Sequence, residues 1–563
     1  MEESKGRIQY AYQRKRYVRD DATNMDMGIR VDASDRISRL PDHVLHYILS
    51  YLSIRAVVRF SVLSKTWHRI STSFPVSDFS EDVLLLGKRY EIQDWKNKFI
   101  DFVQDSLLAQ HHHNTRSHKF RLSMDLDSYD PQLTSRADHL LELATKCGVY
   151  EFDLNFQNIS HYCLPRALLS AEEITVLRLN GNYKLSLPRD AINWPSLRVL
   201  SLMNVRVDEA ILQNLICGCP LIEKLALVYC YGVKSIRISG CIKLKEVEVN
   251  EGDSVLERME IHVPSLRTFC YTTGLVKSFF HIDMTGCRNL EVLKLKFYNI
   301  TEVIGQVFQD LIAQFPALKV LALNCYATSV SRIKISNPQL EKLQLWSSAL
   351  TKVTITSPSL HSFKHFTYGF PSAFSLDQSS LQKATLHVHK GALYSSDFLQ
   401  LREYLGNFNQ IRRLTLRINY VGIRFIPETL NNISIPALPD IKHLKLKICP
   451  STGASGSLAN LKDYRDIVDG LLWVCHPETI LLISGWSSEN LFIQILCEKL
   501  MQGGEKQHCC TSSRIKCWRH DLKDIQIEHL QRNAEAKAFT CGTLLESLPN
   551  LARGQKIRFI FNW

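Results

Sequence analysis

Residues 174–180 read ITVLRLN, and the same cadence returns as LRVLSLM at 197–203 and IEKLALV at 222–228. In each copy apolar residues alternate with polar ones, the signature of a strand that turns one face inward. The paired leucines fall at 177/179, 200/202 and 225/227, which sets steps of 23 and 25 residues. A fixed period of this size means stacked units, because one short strand cannot bury its leucines alone.

The period extends along the chain. LEVLKLK (290–296), LKVLALN (318–324) and LEKLQLW (340–346) are further strong copies, and IRRLTLRI (411–418), IKHLKLKI (441–448) and PETILLIS (477–484) carry the series on. The spacing is that of leucine-rich repeats, so the expected architecture is α/β, a curved solenoid. Weaker copies, VKSIRIS (233–239), LKEVEVN (244–250), LERMEIH (256–262), SRIKIS (331–336) and LTKVTIT (350–356), follow at steps of 10 to 13 residues. A coil whose returning limb is also extended gives that interval, so some turns are expected to carry strands on both faces. Others should return through a helix, for which VDEAILQNLICGC (207–219) has the pattern.

Composition bounds the rest. At 563 residues the chain implies more than one domain, and 45% hydrophobic with 22% charged residues is ordinary globular usage. A net charge of +12 over this length permits acidic partners without the concentrated basic stripe that marks nucleic-acid binding. The charged start MEESKGRIQY lacks the apolar core of a secretory signal, and no apolar run reaches the roughly 18 residues of a membrane span. The best candidate, 466–486, is interrupted by Asp469, His476 and Glu478. Sixteen scattered cysteines then read as reduced thiols, so the expected location is cytoplasm or nucleus. The basic run QRKRYVR (13–19) reads as part of a solvated tail ahead of a nuclear-import signal.

Between that tail and the repeats lies a stretch of different rhythm. In RLPDHVLHYILSYL (39–52), Pro41 suits a first helical turn, and Val44, Leu45, Ile48, Leu49 and Leu52 recur at helical spacing. IRAVVRFSVL (54–63) offers a second short helix, and Ser64 is placed to cap a third, KTWHRI (65–70), closed by Trp67. Three such helices bury little surface, so the module is expected to lean on a partner or on the next domain.

These residues, ISRLPDHVLHYILSYL through VVRFSVLSKTWHRI, resemble an F-box of the plant type, and TSFPVSDF (72–79) continues the likeness. The resemblance implies docking onto the adaptor Skp1, which joins cullin and RING subunits in a ubiquitin ligase. By position it assigns contacts to Leu40, Pro41, Leu45, Ile48, Leu49 and Leu52, with Val58, Leu63 and Trp67 forming or supporting the remainder. Ser53 and Ser71 depart from the usual pattern, standing where Pro and Trp are common. Farther on, KCWRHDLKDIQIEHL (516–530) resembles the FBD region that ends many plant F-box proteins with leucine-rich repeats. After about residue 531 the likeness fades, though KIRFIF (556–561) has the pattern of a last strand.

Candidate chemistry is sparse. His111, His112, His113 and His118 fall in a polar stretch without ligand spacing and read as a solvated loop. His508, Cys509, Cys510, Cys517 and His520 lack a zinc-knuckle spacing, and Cys217 with Cys219 reads as repeat packing. Asp125 and Asp127 follow the strand FRLSM and read as solvated acids. Trp346, Phe366 and Tyr368 lie near strand ends, where they would either line a binding surface or, as is commoner for aromatics, pack inside. No phosphate loop, dinucleotide fingerprint, metalloprotease helix or nucleophile elbow occurs.

The expected organisation is a polar tail (1–33), an F-box module (34–80), the solenoid (81–450), then the last repeats and FBD-like region (451–563). The expected role is the substrate-recognition subunit of an SCF-type ligase, without catalytic residues, cofactor or metal. Its partners would be a Skp1-like adaptor, cullin through it, and an unknown target protein, with neither nucleic acid nor membrane. Two other classes remain open: an interaction scaffold outside any ligase, and a leucine-rich receptor for a small ligand.

Overall fold

Alternating leucines become a ladder. In the computed structural model Leu177 lies beside Leu200 and Leu200 beside Leu225, while Leu179, Leu202 and Leu227 form the adjacent row. All six are buried. The structure describes residues 37, 40–49, 51–52, 60, 64, 66–67, 69–70, 78–80, 92–112, 118–126, 130–157, 162–183, 194–251, 256–273, 281–298, 302–326, 331–347, 350–376, 381–408, 411, 413–420, 422–430, 433–450, 461–485, 487–502, 517–530 and 536–563. The chain divides into two compact units, residues 1–75 and 76–563. The proposed tail of 1–33, with its basic run, lies outside the described residues, as do Val58 and Leu63.

The second unit is a β-solenoid of leucine-rich-repeat type, built among the described residues on one nineteen-stranded sheet. Strands run parallel from Asp78–Ser80 to Thr479–Ile483, each paired with the strand one coil before it. The inward rows continue through Val247 and Val249, Phe269 and Tyr271, Leu293 and Leu295, and on to Leu444 and Leu446. Stacking is what makes these burials count. Each large apolar side chain taken from water contributes about 1.5–3 kcal/mol, and part of its cover comes from neighbouring coils.

Spacer length decides how each coil returns. From Leu225 to Val247, and from Val247 to Phe269, the step is 22 residues, and the return includes the strands Ser235–Ser239 and Arg258–His262. A second such limb pairs Arg332–Ser336, Lys352–Thr356 and Ala373–Leu376. Longer steps return through helices: 28 residues from Leu293 to Leu321 hold Glu302–Ala313, and 30 from Ala384 to Leu414 hold Ser395–Gly406. A helix advances about 1.5 Å per residue against about 3.3 Å for a strand, so covering the same span takes more residues. Strands on both faces were expected from the half-period copies. LKEVEVN differs from the others, since Glu246–Asn250 belongs to the long sheet.

Local chemistry fixes the helices. Asp208 accepts a hydrogen bond from the Ile211 amide at 2.7 Å and so caps Glu209–Cys217, inside the segment whose periodicity predicts a helix. Leu461–Val474 packs on Ser395–Gly406 at Gly470, where an added Cβ would lie 2.5 Å from the Phe398 ring. Residues 466–486, the nearest approach to an apolar span, divide between that helix and the strand Thr479–Ile483. Among the described residues no helix is long and apolar enough to cross a membrane.

The parallel series is closed by reversed strands. Lys556–Asn562 pairs antiparallel with Thr479–Ile483 on one side and with Asp524–Leu530 on the other, and Lys537–Phe539 follows. The last strand is the one that KIRFIF predicts. In the FBD-like stretch, Trp518 is buried and donates its indole N–H to Asp469 at 3.1 Å, while Lys499 forms an ion pair with the same carboxylate.

Candidate functional site

In the first unit the helix Asp42–Leu49 sorts its side chains by face. Leu45 and Leu49 turn inward and are buried with Trp67 and Ile70, and Phe60 packs on that cluster. The Phe60 and Trp67 rings lie 4.9 Å apart. The amide of Trp67 donates to the Ser64 hydroxyl at 3.1 Å, the cap that the sequence predicts. Asp42 binds Arg69 through both guanidinium nitrogens, which ties the start of the helix to the segment carrying Trp67. That hydrogen bond holds the Asp42 carboxyl below its ordinary range.

The other face is exposed and apolar. Leu40 is 37% exposed, Ile48 36%, Leu52 36%, Tyr47 64% and Tyr51 72%, and Pro41 is exposed beside them. Tyr47 and Tyr51 meet edge to face at 5.1 Å. So much apolar surface on so short a segment is more than scattered surface residues normally expose. Of the residues assigned by position, Leu40, Pro41, Ile48 and Leu52 are available for contact in this unit. Leu45, Leu49 and Trp67 instead form the core beneath them. Sequence reasoning did not single out Tyr47 and Tyr51, although their spacing of four places them on one helical stripe.

The candidate chemical clusters disperse. Ile92–His112 is helical, so His111 and His112 end a helix where a polar loop was expected. His113 is outside the described residues, and His118 stacks on Tyr150 at 4.9 Å. Asp125 faces the buried Lys96 at 3.8 Å where a solvated acid was expected, and Asp127 is outside the described residues. His508, Cys509 and Cys510 are also outside them. Cys219 is buried, which pushes its thiol up to about 12, and Cys217 is exposed at the end of its helix. Among the described residues no group of three or more His, Cys, Asp or Glu side chains is placed to hold a metal ion.

The aromatics near the strand ends correct the expectation of core packing. Trp346 is 39% exposed and Tyr368 41%, both on the outward side of the long sheet. Trp346 lies beside Phe366 in register and their rings stack at 3.8 Å, while Phe366 meets His387 at 4.1 Å. Strand parity explains the outcome: Leu343 and Leu345 take the inward positions, which leaves Trp346 to the opposite face.

Comparison with known proteins agrees with both units. The F-box domain family matches residues 37–78, and the leucine-rich-repeat domain of At1g61320/AtMIF1 matches residues 108–284. Residues 37–78 thus match an F-box and residues 108–284 an AtMIF1-type leucine-rich-repeat domain. The chain's homologues are F-box/FBD/LRR-repeat proteins of Arabidopsis thaliana. It is 31% identical to the F-box/FBD/LRR-repeat protein At5g22670, over 35% of this chain and 41% of that one. It is 24% identical to the F-box/LRR-repeat protein At5g02910, over 67% of this chain and 84% of that one. It is 26% identical to the FBD-associated F-box protein At4g10400, over 58% and 76% respectively. The crystal structure of the APL1 leucine-rich repeat domain aligns with 62% of this chain and 89% of that one, at 13% identity and a TM-score of 0.27.

Proposed function

We propose that this chain is the substrate-recognition subunit of an SCF-type ubiquitin ligase. The observation that carries the reading is the two-sided helix Asp42–Leu49 inside the F-box match, with Leu45 and Leu49 buried and Leu40, Pro41, Ile48 and Leu52 presented. The exposed four dock a Skp1-like adaptor, and through it cullin; Leu45, Leu49 and Trp67 hold the face in shape. Val58 and Leu63 keep the roles that position assigns, forming or supporting the same surface. The solenoid of the second unit holds the target protein.

The mechanism is proximity. Other subunits carry out ubiquitin transfer, and this chain raises the effective concentration of the target's lysines near them. F-box/LRR proteins are adaptors of a typically non-catalytic kind, so no residue here is assigned to the reaction. In domain terms, residues 34–80 are the handle, 81–450 the target-binding solenoid and 451–563 its closing region, behind a tail at 1–33. The place of action is cytoplasm or nucleus.

Co-purification of the full chain with a Skp1-type adaptor and cullin tests the reading. The parent should retain both partners, and Leu40→Ala/Pro41→Ala should lose them, since truncating an interface anchor costs about 1–3 kcal/mol. A folded parent that retains neither partner would replace this reading with that of an interaction scaffold.

A further inference from the structure

The outward face of the long sheet changes character along its length. In the early coils several of its cations are cancelled: Lys224 pairs with Glu246 at 2.8 Å across one register step, and Arg121 with Asp153 at 3.5 Å. From the strand Lys342–Ser347 through His443–Pro450, no outward position bears a carboxylate. One register row there reads Trp346, Phe366, His387, Arg417, Lys447. Lys364 and Lys445 stand in the row beside it. Among the described residues none of these four cations forms an ion pair, and the Arg417 Nε is buried without a hydrogen-bond partner. Neighbouring strands are about 4.8 Å apart, so the row extends about 20 Å, the reach of some six extended residues.

We infer that this aromatic-to-basic row is the docking site for an extended acidic segment of the target protein, which places an apolar side chain against Trp346 and carboxylates along Arg417, Lys447 and Lys445. Charge complementarity selects the acid: cations without ion pairs on an open sheet attract carboxylates. Ring geometry selects a peptide over a nucleic-acid strand. Phe366 has Trp346 on one side and His387 on the other, so its faces are already taken and it is not a free platform on which successive bases could stack. Burial, with Arg417 and Lys364 close by, holds the His387 imidazole down to about 4, so the aromatic end of the row stays uncharged at neutral pH.

This inference rests on the solenoid being the target-binding part, and its test leaves the adaptor out, so the two readings fail separately. The probe is a fluorescein-labelled peptide rich in Asp and Glu with one central Phe, titrated into the full chain and followed by anisotropy at low and high salt. Binding is expected, weakened by salt, and lower by about tenfold for the Asn/Gln version of the peptide. Lys445→Glu/Lys447→Glu, at two exposed positions, should lower it by at least about tenfold, while Lys243→Glu on an exposed turn elsewhere leaves it unchanged. Lys364→Gln and Trp346→Ala should each weaken it by less, which provides a second line if the double variant melts early. Equal affinity for the acidic and amide peptides would overturn the inference, as would a double variant of normal stability that binds like the parent. Tighter binding of a charge-matched single-stranded oligonucleotide, lost in the same variant, would reassign the surface to nucleic acid.

Discussion

His365 approaches the hydroxyl of Tyr404 with its Nδ1 at 2.7 Å, and both side chains are buried. The histidine occupies an inward position that leucine holds on the strands either side, Leu345 and Leu386. The tyrosine comes from the helix Ser395–Gly406 that covers the coil. A polar pair thus replaces an apolar contact between sheet and helix.

Burial pushes the His365 imidazole down to about 3, well below its ordinary 6.5. The folded chain therefore binds fewer protons than the unfolded one between those values, and stability falls as pH drops through 6.5 towards 3. From pH 6.5 to 5 the loss amounts to about 2 kcal/mol from this group. Urea midpoints measured from pH 7.5 to 5 should decline, and more gently in His365→Leu/Tyr404→Phe. An identical pH slope in that variant would remove His365 as the cause.

Gly470 is required by contact. Its Cβ would meet the ring of Phe398, which is itself buried. Alanine favours a helix by about 1 kcal/mol over glycine, but overpacking here costs about 1–3 kcal/mol. Gly470→Ala should therefore be destabilising or neutral, and Gly470→Ala/Phe398→Leu more stable than the sum of the two single changes. Strict additivity in urea denaturation would show that the two positions do not compete for space.

The two faces of Asp42–Leu49 should separate stability from the proposed docking. Leu49→Ala should destabilise the first unit by about 2–5 kcal/mol, seen as faster proteolysis within residues 37–70. Ile48→Ala should leave proteolysis unchanged and reduce adaptor capture. If both changes act alike in both assays, the exposed face has no separate role.

Removing residues 554–563 strips Lys556–Asn562 from between Thr479–Ile483 and Asp524–Leu530. Two unpaired strand edges then face solvent, a template for association. The shortened chain should elute as aggregates in size-exclusion chromatography, and a monomer of parental stability would show that the closing strands are dispensable.

Most of the ladder was legible where leucine filled it. The strands Thr268–Thr272, Ser362–Thr367 and Lys383–His389 escaped notice because their inward positions hold Phe269 and Tyr271, Phe363 and His365, or Ala384 and Leu386. Volume and burial, rather than leucine itself, are what the stack requires. The exposed face of the first unit was half legible. Apolar periodicity names Leu45, Ile48, Leu49 and Leu52 together, but only the position of Trp67 decides which of them turn inward. The aromatic row was misread because register across distant coils, not local pattern, brings Trp346, Phe366 and His387 together.

The reversed strands at the end of the sheet have an evolutionary consequence. A parallel stack has no intrinsic length; each new coil offers the same edge to the next. Here that edge is occupied by Lys556–Asn562 running the other way. Lineages can then lengthen or shorten the sheet by duplicating or deleting interior coils, shifting which outward rows adjoin one another while the terminator stays the same. Change in length is thereby directed to the middle of the chain.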